Sequence, residues 1–147
     1  MSVADRALIA QLIPHQGAMS LLDRVAGWDA SSIVALSATH RASDHPLRSH
    51  GRLRAVHLCE YAAQAAALHG GLVARAAGAS AAPGYLVSLH DVSFTCTHIE
   101  DLDGELEIRA ELLLQDGNSW QYRFVASHAG HSLAAGRLAI IRRKSGE

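Results

Sequence analysis

Cysteine is scarce in this chain: Cys59 and Cys96 are the only two among 147 residues. Neither belongs to a CxxC or CxxH pair, so the sequence offers no metal-ligand spacing. Cys59 lies within an apolar stretch and reads as a small buried thiol. Excess charge is lacking too. The 13 Lys and Arg against 14 Asp and Glu give a formal net charge of -1, which argues against non-specific nucleic-acid binding through a basic surface. Charged residues make up only 18% and hydrophobic ones 49%, a balance that excludes a disordered chain and supplies one sizeable core. No basic and apolar leader opens the chain, so the expectation is a cytoplasmic protein. No apolar run reaches the roughly 18 residues of a membrane span. Internal repeats and a second domain are absent, and a single domain over residues 1–147 is expected. The ten histidines are scattered, and most read as surface or structural groups.

What is present is one long alanine-rich stretch, Arg52 to Ala77, around which the rest is organised. As a single helix of about 25 residues it spans roughly 37 Å. Apolar residues surround it, which marks a buried helix. Arg54, His57, Glu60, Gln64 and His69 interrupt it, and Ala55, Ala62, Ala63, Ala65, Ala66 and Ala67 allow close approach by other backbone. His57, Glu60 and Gln64 follow at spacings of three and four and share one face. A carboxylate in such a helix faces a cleft, has a partner, or carries a pKa raised by burial. A satisfied structural carboxylate at a helix or dimer contact is the plainer alternative.

In chain order, Ser2 to Leu12 has the pattern of a short amphipathic helix capped by Ser2 and ended by Pro14. Met19 to Ala26 and Ile33 to His40 read as strands joined by a hairpin loop over Gly27 to Ser32. Ala42 to Gly51, with Pro46, is a polar loop leading to the long helix, whose N-terminal amides suit an oxygen of negative character. Gly78 to Gly84 is a small-residue linker. Tyr85 to Thr97, Glu105 to Gln115, Trp120 to His128 and Ser132 to Arg143 are strands, the middle pair turning at Asp116-Gly117-Asn118. The tail from Lys144 is expected to fray. Runs of strands with a segregated helix define an α+β class with an antiparallel sheet.

Two segments carry a resemblance. The first is Ile13-Pro14-His15-Gln16-Gly17-Ala18-Met19-Ser20-Leu21-Leu22-Asp23-Arg24-Val25. The second is Glu60-Tyr61-Ala62-Ala63-Gln64. Together they resemble the hotdog-fold β-hydroxyacyl-acyl-carrier-protein dehydratases, in which a curved antiparallel sheet wraps one long central helix. The Gly-His-Phe-Pro and later Pro-Gly of the housekeeping members are replaced by Ser49-His50-Gly51-Arg52-Leu53. That shortened segment looks more like the divergent dehydratases of aryl-polyene gene clusters.

The resemblance implies a lyase that removes water from a 3-hydroxyacyl thioester held on an acyl carrier protein. It implies no cofactor beyond the phosphopantetheine arm that carries the substrate, and no metal. A histidine takes the C2 proton, and an acid on the central helix of the other subunit protonates the departing hydroxyl. Backbone amides near the helix start polarise the thioester carbonyl. Mapped onto this chain, Glu60 is the acid. His50 is the first candidate base and His57 the second, while His45, in the same loop as His50, stays open. Gln64, Gly51 and Arg52 are the substrate-binding candidates, with Gln64 alternatively a structural hydrogen-bonder. His15 and Asp23 read as structural, Asp23 as a partner of Arg24 or of a loop amide. Arg48, Arg52 and Arg54 are candidates for attracting an acidic carrier protein, or else an ordinary solvated cluster. The architecture implies a homodimer or a heterodimer with another hotdog chain. Two further functions fit the same fold: an acyl-thioester hydrolase, and a non-catalytic subunit paired with an active dehydratase.

Overall fold

A computed structural model describes residues 4–14, 17–79 and 84–142. Helix α1 (Arg6–Leu12) is followed by strands β1 (Arg24–Trp28) and β2 (Ser32–Ser37), the long helix α2 (Leu58–Ala76), and strands β3 (Gly84–Phe94), β4 (Leu106–Asp116), β5 (Ser119–His128) and β6 (His131–Arg142). Among the described residues the strands form one six-stranded sheet in the order β1-β2-β4-β5-β6-β3, and every pair is antiparallel. This is the hotdog fold, of the α+β class. No helix among the described residues is long and apolar enough to cross a membrane.

Strands β2, β4 and β5 each turn an apolar face toward α2. Ile33 and Ala35 on β2, Leu106, Ile108 and Ala110 on β4, and Tyr122, Phe124 and Ala126 on β5 alternate inward and are buried, as the two-residue period of a strand requires. Within the curl of the sheet, α2 carries Ala62, Ala63, Ala65, Ala66 and Ala67, all buried. Side chains this small allow neighbouring groups to approach the helix closely. His69, 1% exposed, fastens the middle of the helix. Its Nε2–H donates to the Asp29 carbonyl at 2.8 Å, which fixes the tautomer and leaves Nδ1 to accept from the Tyr122 hydroxyl at 2.8 Å. Asp29 in turn organises the β1–β2 turn by accepting from the amides of Ser31 and Ser32 at 2.9 and 2.8 Å.

The long helix is shorter than its composition suggests. Regular α-helix begins at Leu58, after a 3-10 turn over Ala55–His57. Arg52 to Arg54 are extended because they pair with a second segment. The Ile99 amide donates to the Leu53 carbonyl at 3.0 Å and the Ala55 amide to the Thr97 carbonyl at 2.8 Å, with an isolated bridge between Arg54 and His98. Helical sequence preference thus yields to a tertiary ladder at this end.

Two other boundaries move for similar reasons. Gly17–Met19 is a 3-10 turn and β1 starts at Arg24, because the Met19 carbonyl and the Leu21 amide are spent on the Gln64 side chain of α2. Strand β2 ends at Ser37 and gives way to a 3-10 turn over Thr39–Arg41. The cap of α1 is Asp5, whose side chain accepts from the Leu8 amide at 3.1 Å. Ser2, His15, Gln16 and the tail from Arg143 lie outside the described residues.

Strand β3 forms one edge of the sheet, and Tyr85, Leu89 and Phe94 on it are exposed at 49%, 40% and 38%. Its pairing with β6 shifts register between His90 and Ser93. Gly136 sits opposite that irregularity, where an added Cβ would lie 2.8 Å from Val92 Cγ2 and 3.0 Å from its Cα.

Candidate active site

Glu60 occupies the first turn of α2 and is half-buried, while its neighbours Leu58, Cys59, Tyr61, Ala62, Ala63 and Gln64 are buried. Gln64, one turn on, is 0% exposed. Its Nε2 donates to the Met19 carbonyl at 2.7 Å and to Glu60 Oε1 at 3.4 Å, and its Oε1 accepts from the Leu21 amide at 2.9 Å. The amide orientation of Gln64 is therefore set by two backbone groups of one segment, which leaves an N–H directed at the Glu60 carboxyl.

The segment that does this, Met19 to Asp23, is gripped along its length. Arg6 donates to the carbonyls of Ser20 and Leu22 at 2.9 and 3.1 Å and to Asp23 Oδ1 at 2.9 Å. Asp23 Oδ2 accepts from the Ala38 amide at 2.7 Å. The loop amide expected for Asp23 is thus that of Ala38. Its arginine is Arg6 rather than Arg24, which pairs instead with Glu105 at 2.9 Å. The Leu21 carbonyl accepts from the hydroxyls of Ser37 and Thr39 at 2.5 and 2.8 Å.

From Thr39 the contacts run back to the loop before α2. The Thr39 hydroxyl lies 2.8 Å from the Tyr61 hydroxyl, and Tyr61 lies 3.0 Å from His45 Nε2. The Leu47 amide donates to His45 Nδ1 at 3.1 Å. Both Tyr61, at 0%, and His45, at 6%, are buried. Burial pushes the Tyr61 hydroxyl up to about 12, so it stays a neutral donor at any physiological pH. Burial, with repulsion from His57, Arg48 and His40, pushes the His45 imidazole below its ordinary value. His45 is consequently a neutral, doubly engaged ring, and its neighbour His57 is half-buried at the last residue of the 3-10 turn.

The remaining candidates divide. His50 and Gly51 form the apex of a tight turn closed by reciprocal backbone bonds between Ser49 and Arg52, at 2.8 and 3.0 Å. Both have positive φ, 53° and 75°, the left-handed region that glycine enters freely and other residues seldom do, and both are exposed. Arg52 lies at the foot of that turn, ahead of α2, with its amide committed to Ser49. Its guanidinium meets Glu100 Oε2 at 3.1 Å, and Glu100 Oε1 accepts from the Leu53 amide at 2.7 Å. Burial pushes the Glu100 carboxyl up, but the Leu53 amide and Arg52 together outweigh it and hold the pKa below the usual value.

Arg48 spends its guanidinium on the carbonyls of Gly51, His40 and Arg41, while Arg54 is exposed beside the helix entry. Near the start of α2 the amides of Ala55, His57 and Leu58 donate to carbonyls of Thr97, Arg54, and Ala55 and Val56. The structure thus brings Glu60 and Gln64 together and sets His57 one turn before Glu60, whereas His50, Gly51 and Arg52 belong to the preceding turn. Sequence reasoning had no role for Tyr61, Thr39 or Arg6. Only Tyr61 carried a signal, as a polar-tipped aromatic within the Glu60–Gln64 motif.

A curved sheet around a helix that bears one tethered carboxylate defines the class as a hotdog protein with a candidate acid at its helix start. Solved structures share this fold. The dehydratase heterocomplex ApeI:P from Xenorhabdus doucetiae superposes with a TM-score of 0.84 at 23% identity, covering 95% of this chain and 93% of that one. AziG of S. sahachiroi matches with a TM-score of 0.59 at 18% identity, covering 86% and 93%. A hypothetical thioesterase protein with coenzyme A from Streptococcus pneumoniae TIGR4 matches at 0.55 and 14%, covering 81% and 84%. No curated protein matches the chain. The family model for ApeP-like proteins, the ApeP dehydratases, matches residues 7–146, and the chain belongs to that dehydratase family.

Proposed function

We propose that this chain takes part in the dehydration of 3-hydroxyacyl-acyl-carrier-protein thioesters to trans-2-enoyl thioesters in fatty-acid or polyene-type biosynthesis, with Glu60 as the acid. The observation that carries the reading is Glu60 itself, a carboxyl at the head of a buried helix, oriented by an amide that two backbone groups hold in place. Hydroxide is a poor leaving group, so the C3 hydroxyl must receive a proton as the C2 proton departs. The enolate-like charge that develops on the thioester oxygen needs donors fixed in advance. Glu60 would deliver the proton, Gln64 would hold its carboxyl at the working angle, and water and the enoyl thioester would leave.

The base is assigned to a histidine near the helix entry or to a second hotdog subunit. His57, half-buried one turn before Glu60, is the better placed of this chain's candidates; His50 reaches the reaction only if a partner closes over its turn. Pairing with another hotdog chain is supported by the open β3 edge, whose exposed Tyr85, Leu89 and Phe94 are the kind of strand that recruits another. It is supported also by the heterocomplex nature of the relative from Xenorhabdus doucetiae. Arg54 remains available to attract an acidic carrier protein, whereas Arg48 and Arg52 are engaged within the loop.

The test is turnover of a 3-hydroxyacyl-carrier-protein thioester by the chain alone and mixed with a second hotdog subunit. Glu60→Gln should reduce enoyl formation by about 10²-fold or more with the circular dichroism spectrum unchanged. Undiminished turnover would remove Glu60 from the mechanism. Release of free thiol from an acyl-CoA, without enoyl product, would favour the hydrolase reading. His57→Ala and His50→Ala separate the two bases, and loss with neither places the base on the partner.

A further inference from the structure

We propose that His45 is a positioning residue for Glu60, acting through a line of hydrogen bonds that ends on the Gln64 amide. The proposal rests on the reading of Glu60 as the acid. Its starting point is the direction of the line. Because the Leu47 amide donates to His45 Nδ1, the neutral ring carries its proton on Nε2, and that proton faces the Tyr61 hydroxyl. Tyr61 has one proton of its own and gives it to Thr39, and Thr39 gives its proton to the Leu21 carbonyl. Every hydroxyl in the line both accepts and donates, so each is oriented by its predecessor.

Leu21 is the residue where the line reaches the site. Its carbonyl is held by Thr39 and Ser37, and its amide, one peptide unit back across the same Cα, donates to Gln64 Oε1. Rotation of the Gln64 amide would turn its Nε2 away from the Glu60 carboxyl. Tyr61 is fully buried, so no bulk water replaces the donor if the His45 proton is lost. Relief then comes through movement of Tyr61 and of the strap it helps to hold.

Two substitutions at position 45 separate positioning from simple loop anchoring. His45→Gln places an N–H close to the Nε2 position and keeps a donor for Tyr61. His45→Asn places its polar atoms close to Nδ1, keeping the Leu47 contact while leaving Tyr61 without a donor. With 3-hydroxyoctanoyl-acyl carrier protein as probe, and the hotdog partner present if turnover requires one, His45→Asn should lower kcat about tenfold with KM within about twofold, the scale of a small misplacement of a reacting group. His45→Gln should restore most of that loss. Tyr61→Phe should cost about as much as His45→Asn, and the double variant no more than either single one.

Should His45→Asn fail to fold, Thr39→Val cuts the same line one link further on and should show the same kcat loss. The positioning role is overturned if Glu60→Gln abolishes turnover while His45→Asn, Tyr61→Phe and Thr39→Val keep full kcat. Equal losses in the Asn and Gln variants overturn it as well. If Glu60→Gln turns over normally, the functional reading fails first, and that outcome is distinguishable from the others.

Discussion

At the scale of single residues, the site depends on groups with no freedom left. Gln64 uses both ends of its amide on backbone, the buried Leu21 amide and the half-buried Met19 carbonyl. Gln64→Leu keeps the volume and removes the partners of the Leu21 amide and the Met19 carbonyl. Each buried polar group left unpaired costs about 1–3 kcal/mol, so the denaturation midpoint should fall by an amount of that order, and turnover should fall with it. A midpoint equal to wild type would mean that water reaches this segment and replaces the side chain. The contact between Glu60 and Gln64 was legible in the sequence because residues four apart on a helix share a face. His45 was harder, since a loop histidine beside a proline resembles any surface histidine. Only the fold reveals that the loop folds down onto Tyr61.

At the scale of elements, the strand periodicities and the buried helix were readable because each depends on side chains close in sequence. The helix start was not. Nothing in Arg52-Leu53-Arg54 tells of residues 97–100, which lie far along the chain and pair with it. Glu100 secures that pairing through the Leu53 amide and Arg52. Because its folded pKa is depressed, its contribution is full above the unfolded value near 4.5 and is lost as pH falls through the folded value. Hydrogen exchange at the Leu53 amide should therefore accelerate in acid below that window, and Glu100→Gln should remove the acceleration by loosening the clip at every pH. On the other side of the sheet, Gly136→Ala would force Val92 backbone away from β6. Overpacking of this kind costs about 1–3 kcal/mol, and the expected readout is a lower melting temperature with faster exchange along β3. An unchanged melting temperature would show that the irregularity at His90–Ser93 absorbs the methyl.

At the scale of the whole molecule, three buried imidazoles should begin to destabilise the fold at a higher pH than Glu100 does. His40, His45 and His69 are all pushed down from 6.5, in each case first by burial. A histidine with a depressed folded pKa binds fewer protons when folded than when unfolded. Its stabilisation is complete above the unfolded value and is lost as pH falls from there through the folded value. The melting temperature should thus decline between pH 7.5 and 5, well above the window in which Glu100 is protonated. A flat profile over that range would contradict the burial of these rings in solution. The same measurement made with and without a hotdog partner would report whether pairing raises it.

The strap from Met19 to Leu21 serves Gln64 with main-chain atoms alone, an amide and a carbonyl that every residue but proline supplies. Its lettering is thus free to drift wherever size and greasiness are kept: Met19→Leu should be silent in both turnover and melting, whereas proline at position 21 should be ruinous. Comparisons that weigh side chains will score this piece as ordinary filler, although it holds the amide that contacts the Glu60 carboxyl.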